Sequence, residues 1–331
     1  MKVRFLEKVF AVACALTLAV GVMRGAVFAR GDEATSELPA EPEATFVVLD
    51  LEVGADASPV DAAVPAEAVP ASETEASVPA ASPVLEVTDN RSSVPLTVNG
   101  EDAGECPIIG GVPYVDAERL CLALGMSVDA QTHGDTFTMS GEIELTARTG
   151  DIYFVCNDRY LYVEDGVRLQ NGKALLPMEA MAKCLNIAAA WDRVQWTVAV
   201  AADGVTPLES GRTYYDETDV YWLSHVIYAE AGSQSLRGQI AVGDVVLNRV
   251  ASDEFAGQDS VYDVIFAKNQ FEVVINGMIY MEPGDSAVIA AKLALEGYDV
   301  CGGATYFATF DFGEGYECVM WIEDHCFMVE A

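Results

Sequence analysis

The chain has 331 residues, room for two domains of ordinary size. Its 18 Lys and Arg stand against 52 Asp and Glu, a formal net charge of -34. No basic stripe is available to neutralise phosphates, so nucleic acid is excluded as a partner, and the charge favours solubility over binding to anionic surfaces.

Residues 1–29 read as a signal peptide. "MKVRFLEK" is a charged leader and "VFAVACALTLAVGVM" an apolar run shorter than the roughly 20 residues of a spanning helix. "VFA", ending at Ala29, offers small residues for cleavage. An uncleaved anchor is the alternative; in either case the remainder is expected to be exported, secreted or held at the cell wall. Cleavage would leave no stable membrane span.

Residues 30–92 form an Ala/Pro/Glu-rich linker. Between Gly31 and Asn90 there is no Lys or Arg. Low hydrophobicity with charge of one sign predicts disorder, and proline with self-repulsion predicts an extended tether. "TFVVLDLEV" (Thr45 to Val53) is the exception and reads as a strand.

Eight cysteines are present. Cys14 belongs to the leader, which leaves an odd number and at most three disulfides. No C-x-x-C pair occurs, so neither a structural zinc nor any other metal or cofactor is expected.

Residues 93–203 contain an internal repeat. "GGVPYVDAERLCLALGMSV" (Gly110 to Val128) lines up with "NGKALLPMEAMAKCLNIAA" (Asn171 to Ala189). Each copy reads as a glycine-led turn, a short strand and a helix, followed by alternating strands, "DTFTMS" and "VQWTVAV". Tyr153, Tyr160 and Tyr162 alternate as sheet residues do, with stacking on sugars as the other reading. The two recurring elements resemble the copper amine oxidase N-terminal-like domain, which implies an accessory module on wall proteins. No His/Cys set for copper accompanies it; His133 stands alone.

Residues 213–331 begin with helices and end with short strands, an α-rich α+β pattern. Leu223, Val226, Ile227 and Glu230 fall at i, i+3, i+4 and i+7, which puts a glutamate on the inward face of the first helix. A carboxyl group buried there is held protonated, as a general acid must be. His225, on the flank of that helix, reads as surface. The second helix, "SLRGQIAVGDVVLNRV", carries an inward stripe of Leu236, Ile240, Gly243, Leu247 and Val250. The third, "GDSAVIAAKLALEG", is predicted to be capped by Asp285 or Ser286 and ended by Gly297.

The series "IYAEAGSQSLRGQIAVGDVVLNRV", "VIFAKNQFEVVINGMI", "GGATYF" and "WIEDHCF" resembles the catalytic domain of SleB-type cell wall hydrolases, the spore cortex-lytic family. The resemblance implies a lysozyme-like fold and lytic-transglycosylase cleavage of the N-acetylmuramic acid–N-acetylglucosamine bond in peptidoglycan glycan strands. It puts the family's acid at Glu230. Candidate substrate-binding residues are Gln270, Tyr306, Gln239, His325 and Glu272; Gln239 also reads as a helix-to-helix hydrogen bonder, and Glu272 is the candidate second carboxylate. One position departs from the family's usual "EAxGE": here "EAGSQ" puts Gln234 where a second glutamate is usual. That departure favours the rival reading, a non-catalytic wall-binding or regulatory protein that keeps the hydrolase fold. A metal amidase is disfavoured, since the domain's histidines, His225 and His325, have no ligand spacing. Cys326 beside His325 does not by adjacency make a catalytic pair.

Overall fold

The computed structural model describes residues 92–331 together with the strand Phe46–Leu49. The expected signal peptide and the remainder of the expected acidic linker lie outside the described residues. Strand β1 (Phe46–Leu49) matches the isolated apolar stretch and pairs in parallel with β12 (Ala188–Asp192).

The first module carries β2 (Ser93–Val98), β3 (Glu101–Ile109), β4 (Val112–Asp116), α1 (Ala117–Ala123), β5 (Val128–His133), β6 (Thr136–Gly141), β7 (Leu145–Arg148), β8 (Tyr153–Cys156) and β9 (Arg159–Tyr162). It continues with β10 (Arg168–Gln170), β11 (Lys173–Pro177), α2 (Met178–Leu185), β12 and β13 (Thr197–Ala201). One sheet runs β1-β12-β13-β2-β3-β4-β11-β10, and β5 to β9 form an antiparallel meander. The two repeat copies are β4–α1 and β11–α2. Their strands pair with each other, Leu176 opposite Val115, so the duplicated strands are neighbours in the sheet, one strand in from its β10 edge. Asp116 caps α1 by accepting from Arg119 N, and also accepts from Lys173 Nζ of the second copy at 2.5 Å.

Alternation in the meander turns Phe137, Met139, Leu145, Phe154 and Leu161 into this module's core. Tyr153, Tyr160 and Tyr162 turn the other way and pack against the core of the second module. Their rings are thus contact residues between modules. The disulfide Cys156–Cys184 ties the meander to α2.

The second module consists of α3 (Gly211–Tyr214), α4 (Glu217–Ala231), α5 (Leu236–Ala251), α6 (Val261–Phe266), α7 (Glu272–Ile275), α8 (Asp285–Leu295), β14 (Tyr306–Ala308), β15 (Tyr316–Ile322) and β16 (His325–Glu330). Asp216 starts α4 by accepting from Thr218 N and Asp219 N; Ser235 starts α5 by accepting from Gly238 N. Helices α4, α5 and α8 meet at Gly243, where a Cβ would stand 3.0 Å from Ile227 Cδ1 and 3.1 Å from Ala294 Cβ. Only glycine permits that approach without displacing a neighbour.

Three local expectations are corrected. The stripe on α5 is too narrow: Leu236, Leu247 and Val250 are half-buried, while Gly238 to Val246 are buried without interruption. The helix runs through the middle of its module and has no solvent face there. His225 is buried, 3% exposed, with its Nδ1 2.7 Å from Tyr221 O. Helix α8 begins at Asp285 with Gly284 at its N-cap and no side-chain cap.

Strands β14, β16 and β15 form an antiparallel sheet, and Cys318–Cys326 bridges its hairpin. Cys106, Cys121 and Cys301 are buried free thiols, which accounts for the odd cysteine number. Among the described residues no helix is long and apolar enough to cross a membrane.

The modules join around Glu296, the C-cap of α8, whose side chain is fully buried. Arg159 of β9 grips it with two bonds, Nε to Oε1 at 2.5 Å and Nη2 to Oε2 at 2.8 Å. Lys183 of α2 reaches Oε2 at 3.2 Å and donates to the Glu296 carbonyl at 2.5 Å. Tyr215 donates its hydroxyl to Oε1 at 2.7 Å, and the Tyr215 hydroxyl oxygen in turn accepts from Tyr160 N. Burial and the Glu296 charge raise the Tyr215 phenol far above its ordinary value, so it remains a donor. The segment between modules is pinned as well: Gly211 N donates to Asn157 O, Asn157 Nδ2 to Leu208 O, and Arg212 pairs with Asp158.

Removing one member of a buried ion network strands the others, at a cost of about 3–5 kcal/mol. We therefore expect Glu296→Ala to destabilise by that amount in chemical denaturation and to expose residues 203–216 to limited proteolysis. Arg159→Met combined with Glu296→Leu should recover most of the loss, because a packed apolar pair carries no stranded charge.

Candidate active site

Glu230 lies in the last turn of α4 and is half-buried. Its carboxyl is pushed up to about 6, first by burial, then by the charge of Glu272, with Arg249 acting in the opposite sense. Glu272 is exposed at the first position of α7, where a helix N-terminus suits a carboxylate.

Arg249, in the last turn of α5, is 5% exposed. Its Nε donates to Thr305 O at 2.6 Å and its Nη1 to Gln270 Oε1 at 3.0 Å. The guanidinium also lies 5.2 Å from the ring centres of Phe255 and Phe271 and 5.5 Å from that of Tyr306. With its oxygen engaged, Gln270 keeps its amide N–H groups for another acceptor. Tyr306 donates its hydroxyl to Glu254 Oε1 at 2.5 Å, and burial together with this bond raises the phenol. Its hydroxyl is therefore already engaged, while its ring packs near Phe255 and Tyr316.

His325 joins this group through aromatic contacts. Its ring is 5.3 Å from that of Phe307, which in turn faces Phe271. Burial lowers the imidazole below its ordinary value, with Asp324 and Glu323 opposing, and Nδ1 has no partner. Gln239 sits apart, in the first turn of α5, donating Nε2 to Gln234 O at 3.0 Å while its buried Oε1 is unpartnered. Asn248 serves the fold, donating to Ala304 O and Cys301 Sγ.

The structure thus groups Glu230, Glu272, Gln270 and Tyr306 around Arg249, adds His325 at the edge, and uses Gln239 to hold the α4–α5 turn. Sequence reasoning missed Arg249, although a basic residue in the last turn of a largely apolar helix was a visible signal in so acidic a chain. It also missed Glu254.

Gln234 has a local explanation. Its Nε2 lies 3.4 Å from Asp324 Oδ2, and Ser235 N donates to the Glu323 carboxylate. A glutamate at 234 would set two carboxylates against each other in this turn. The charges that shift Glu230 come instead from Glu272 and Arg249.

Among the described residues, Asp244, Asp299 and Cys301 bring ligand-type atoms within 4.8 Å of one another. Backbone donors already engage the carboxylates: Val300 N on Asp244, and Cys301 N and Gly303 N on Asp299. The trio staples the α8–β14 loop to α5.

The fold is that of an acid-bearing helical domain with an attached β-rich module. The Cell Wall Hydrolase family model matches residues 233–328 and the Copper amine oxidase N-terminal domain model matches residues 97–200. The C-terminal module is thus similar to the Cell Wall Hydrolase family, with Glu230 just ahead of the matched range. The Spore cortex-lytic enzyme of Halalkalibacterium halodurans is 41% identical over 93 residues, 28% of this chain and 28% of that protein. That of Oceanobacillus iheyensis is 36% identical over 104 residues, 31% and 37% of the two chains. The catalytic domain of the Bacillus cereus SleB protein is 32% identical, covering 35% of this chain and 97% of that one, with a TM-score of 0.31. The chain spans about a third of the length of the two curated relatives.

Two outcomes follow from the buried charges. Arg249→Met removes the cation that opposes the shift of Glu230, so the Glu230 carboxyl should titrate above about 6 in carbon-detected NMR. Arg249→Lys should leave that titration near the wild-type value yet release Gln270, since an ammonium cannot reproduce the fork. Asp244 is pushed up to about 8, chiefly by burial. A carboxyl raised in the folded state contributes stability below its unfolded value, near pH 4, which is lost as pH rises through 8. Asp244→Asn should therefore melt progressively higher than wild type between pH 5 and 9 in a calorimetric series.

Proposed function

We propose that the chain is an exported peptidoglycan lytic enzyme that cleaves the N-acetylmuramic acid–N-acetylglucosamine bond, with Glu230 as acid and then base. The observation that carries this reading is the setting of Glu230: a half-buried carboxyl pushed up to about 6, facing an exposed carboxylate and a buried guanidinium. The resemblance to relatives named spore cortex-lytic enzymes supports the substrate class.

The reaction needs one titratable group to act twice. Protonated Glu230 gives its proton to the glycosidic oxygen, and the bond to the anomeric carbon breaks through an oxocarbenium-like state. The muramic C6 hydroxyl then attacks that carbon. Glu230, now a carboxylate, accepts the hydroxyl proton and is restored. Glu272 stabilises the positive centre, while Gln270, held by Arg249, offers its amide N–H groups to an acetamido carbonyl. A wall or extracellular location follows from the substrate and from the leader at residues 1–29. Peptidoglycan strands are the partner, and nucleic acid is not.

The electrostatic coupling of Glu230 to Glu272 favours one second reading, hydrolysis, with Glu272 activating water. The products separate the two. Mass spectrometry of muropeptides released from purified cortex or wall should find anhydro-muramic ends, and Glu230→Gln should reduce release by roughly 10²–10⁴, the usual contribution of a general acid. Reducing ends that require Glu272 would establish hydrolysis; no release by the intact protein would overturn the enzymatic reading. Because the proton donor must be protonated, kcat/KM should fall as pH rises past about 6.

A further inference from the structure

A cavity of about 680 Å³ opens where the two modules meet, on the side of α4 away from Glu230. Its walls come from the β8–β9 turn, α3, the first half of α4 and α8. Tyr221 and Glu230 are nine residues apart, about 13 Å along the helix at 1.5 Å per residue. His225 and Glu230 are five residues apart, which turns them about 140° from each other around the helix axis. The cavity is therefore distinct from the candidate active site, and its size suits a ligand of a few residues.

Its charges are arranged for a ligand that carries both signs. Lys292 is half-buried, with Nζ 4.9 Å from the centre of the Tyr160 ring and 5.5 Å from that of Tyr215. Among the described residues it has no carboxylate within ion-pair distance, although acidic side chains outnumber basic ones almost threefold in this chain. A cation shielded from water on one side and left without a counter-charge asks for an anionic group. Glu282 and Glu217 line the same cavity as exposed carboxylates. Glu282 precedes the start of α8, and Lys292 lies seven residues into that helix, about 10 Å further along. The cavity is also lined by a half-exposed Tyr221 ring and by the His225 ring, tilted 34° to it with centres 4.1 Å apart. His225 Nδ1 lies 2.7 Å from the Tyr221 carbonyl oxygen and donates to it.

We infer that this cavity binds a short zwitterionic peptide, its carboxylate on Lys292 and its ammonium on Glu282. On the reading of the protein as a wall-lytic enzyme, the available ligand of this chemistry is the stem peptide of peptidoglycan, bound away from the bond that is cut. The glycan itself is neutral apart from the lactyl group that the stem peptide occupies, and it leaves Lys292 unmatched.

The test uses the full mature chain carrying Glu230→Gln, titrated calorimetrically with the tripeptide L-Ala-γ-D-Glu-meso-diaminopimelate. The peptide should bind at one site. Lys292→Met and Glu282→Gln should each weaken it about tenfold or more, the worth of one charge-assisted bond, and Lys292→Arg should retain it. A peptide-free disaccharide of the same wall should not compete. Absence of tripeptide binding, binding indifferent to both Lys292→Met and Glu282→Gln, or displacement by the disaccharide would overturn the proposal. The Glu282 variant changes an exposed residue and keeps the test decisive if Lys292→Met misfolds. Muropeptide release by the unmutated chain is read separately: binding without release keeps this site and removes the enzymatic reading, while release without binding does the reverse.

Discussion

The structure turns on one buried carboxylate. Glu296 terminates α8, where the helix dipole disfavours negative charge, and it has no access to water. Both penalties are met from the other module. Arg159 supplies a bidentate guanidinium, and Lys183 caps the end of α8 by donating to its last carbonyl as well as to the carboxylate. Burial lowers the Lys183 ammonium while the same carboxylate pulls it back up. A module whose helix is capped by another module is not a passenger on a tether. The resemblance implied an accessory module, and the polar junction ties that module to the helical one.

From α8 the constraint passes inward through packing. Ala294 touches the position of Gly243, and Gly243 touches Ile227, so the registers of α8, α5 and α4 fix one another. Glu230 sits one turn beyond Ile227, and Arg249 rides on the far end of α5. The acid and the cation that moderates it thus belong to helices locked at their crossing. In a chain with net charge -34 this matters for chemistry: surrounding carboxylates alone would raise Glu230 further, and Arg249 limits the rise to a range in which the group is both a usable acid and a usable base.

How far the sequence disclosed this depended on range. The repeat was legible because each copy carries its own glycine turn, strand and helix, and the copies pair as neighbouring strands of one sheet. Glu230 was legible because four positions at helical spacing are a local signal. The enclosure of α5 was not: a helix buried from Gly238 to Val246 has no polar face to mark the period, so a stripe drawn through it was bound to be too narrow. His225 looked peripheral on the flank of α4, yet the second module's own packing covers it. Arg249 and Glu296 were harder still. Arg159 and Glu296 are 137 residues apart, and nothing in either neighbourhood announces the other. Charged residues read locally as surface; only the fold shows which of them are paired in the interior.

The same junction decides what else the molecule can bind. The cavity between the modules takes Asp158 from the β8–β9 turn, Arg212 from α3 and Lys292 from α8, and none of these elements encloses it alone. Lys292 rests on Tyr160 and Tyr215, and Tyr215 is held by Glu296. The uncompensated ammonium is therefore positioned by the network that seals the interface. Separate the modules and the cation returns to water, where it needs no partner; join them and it is left facing a cavity with its charge unmatched. The binding property belongs to neither module, and arises only once Glu296 is buried between them.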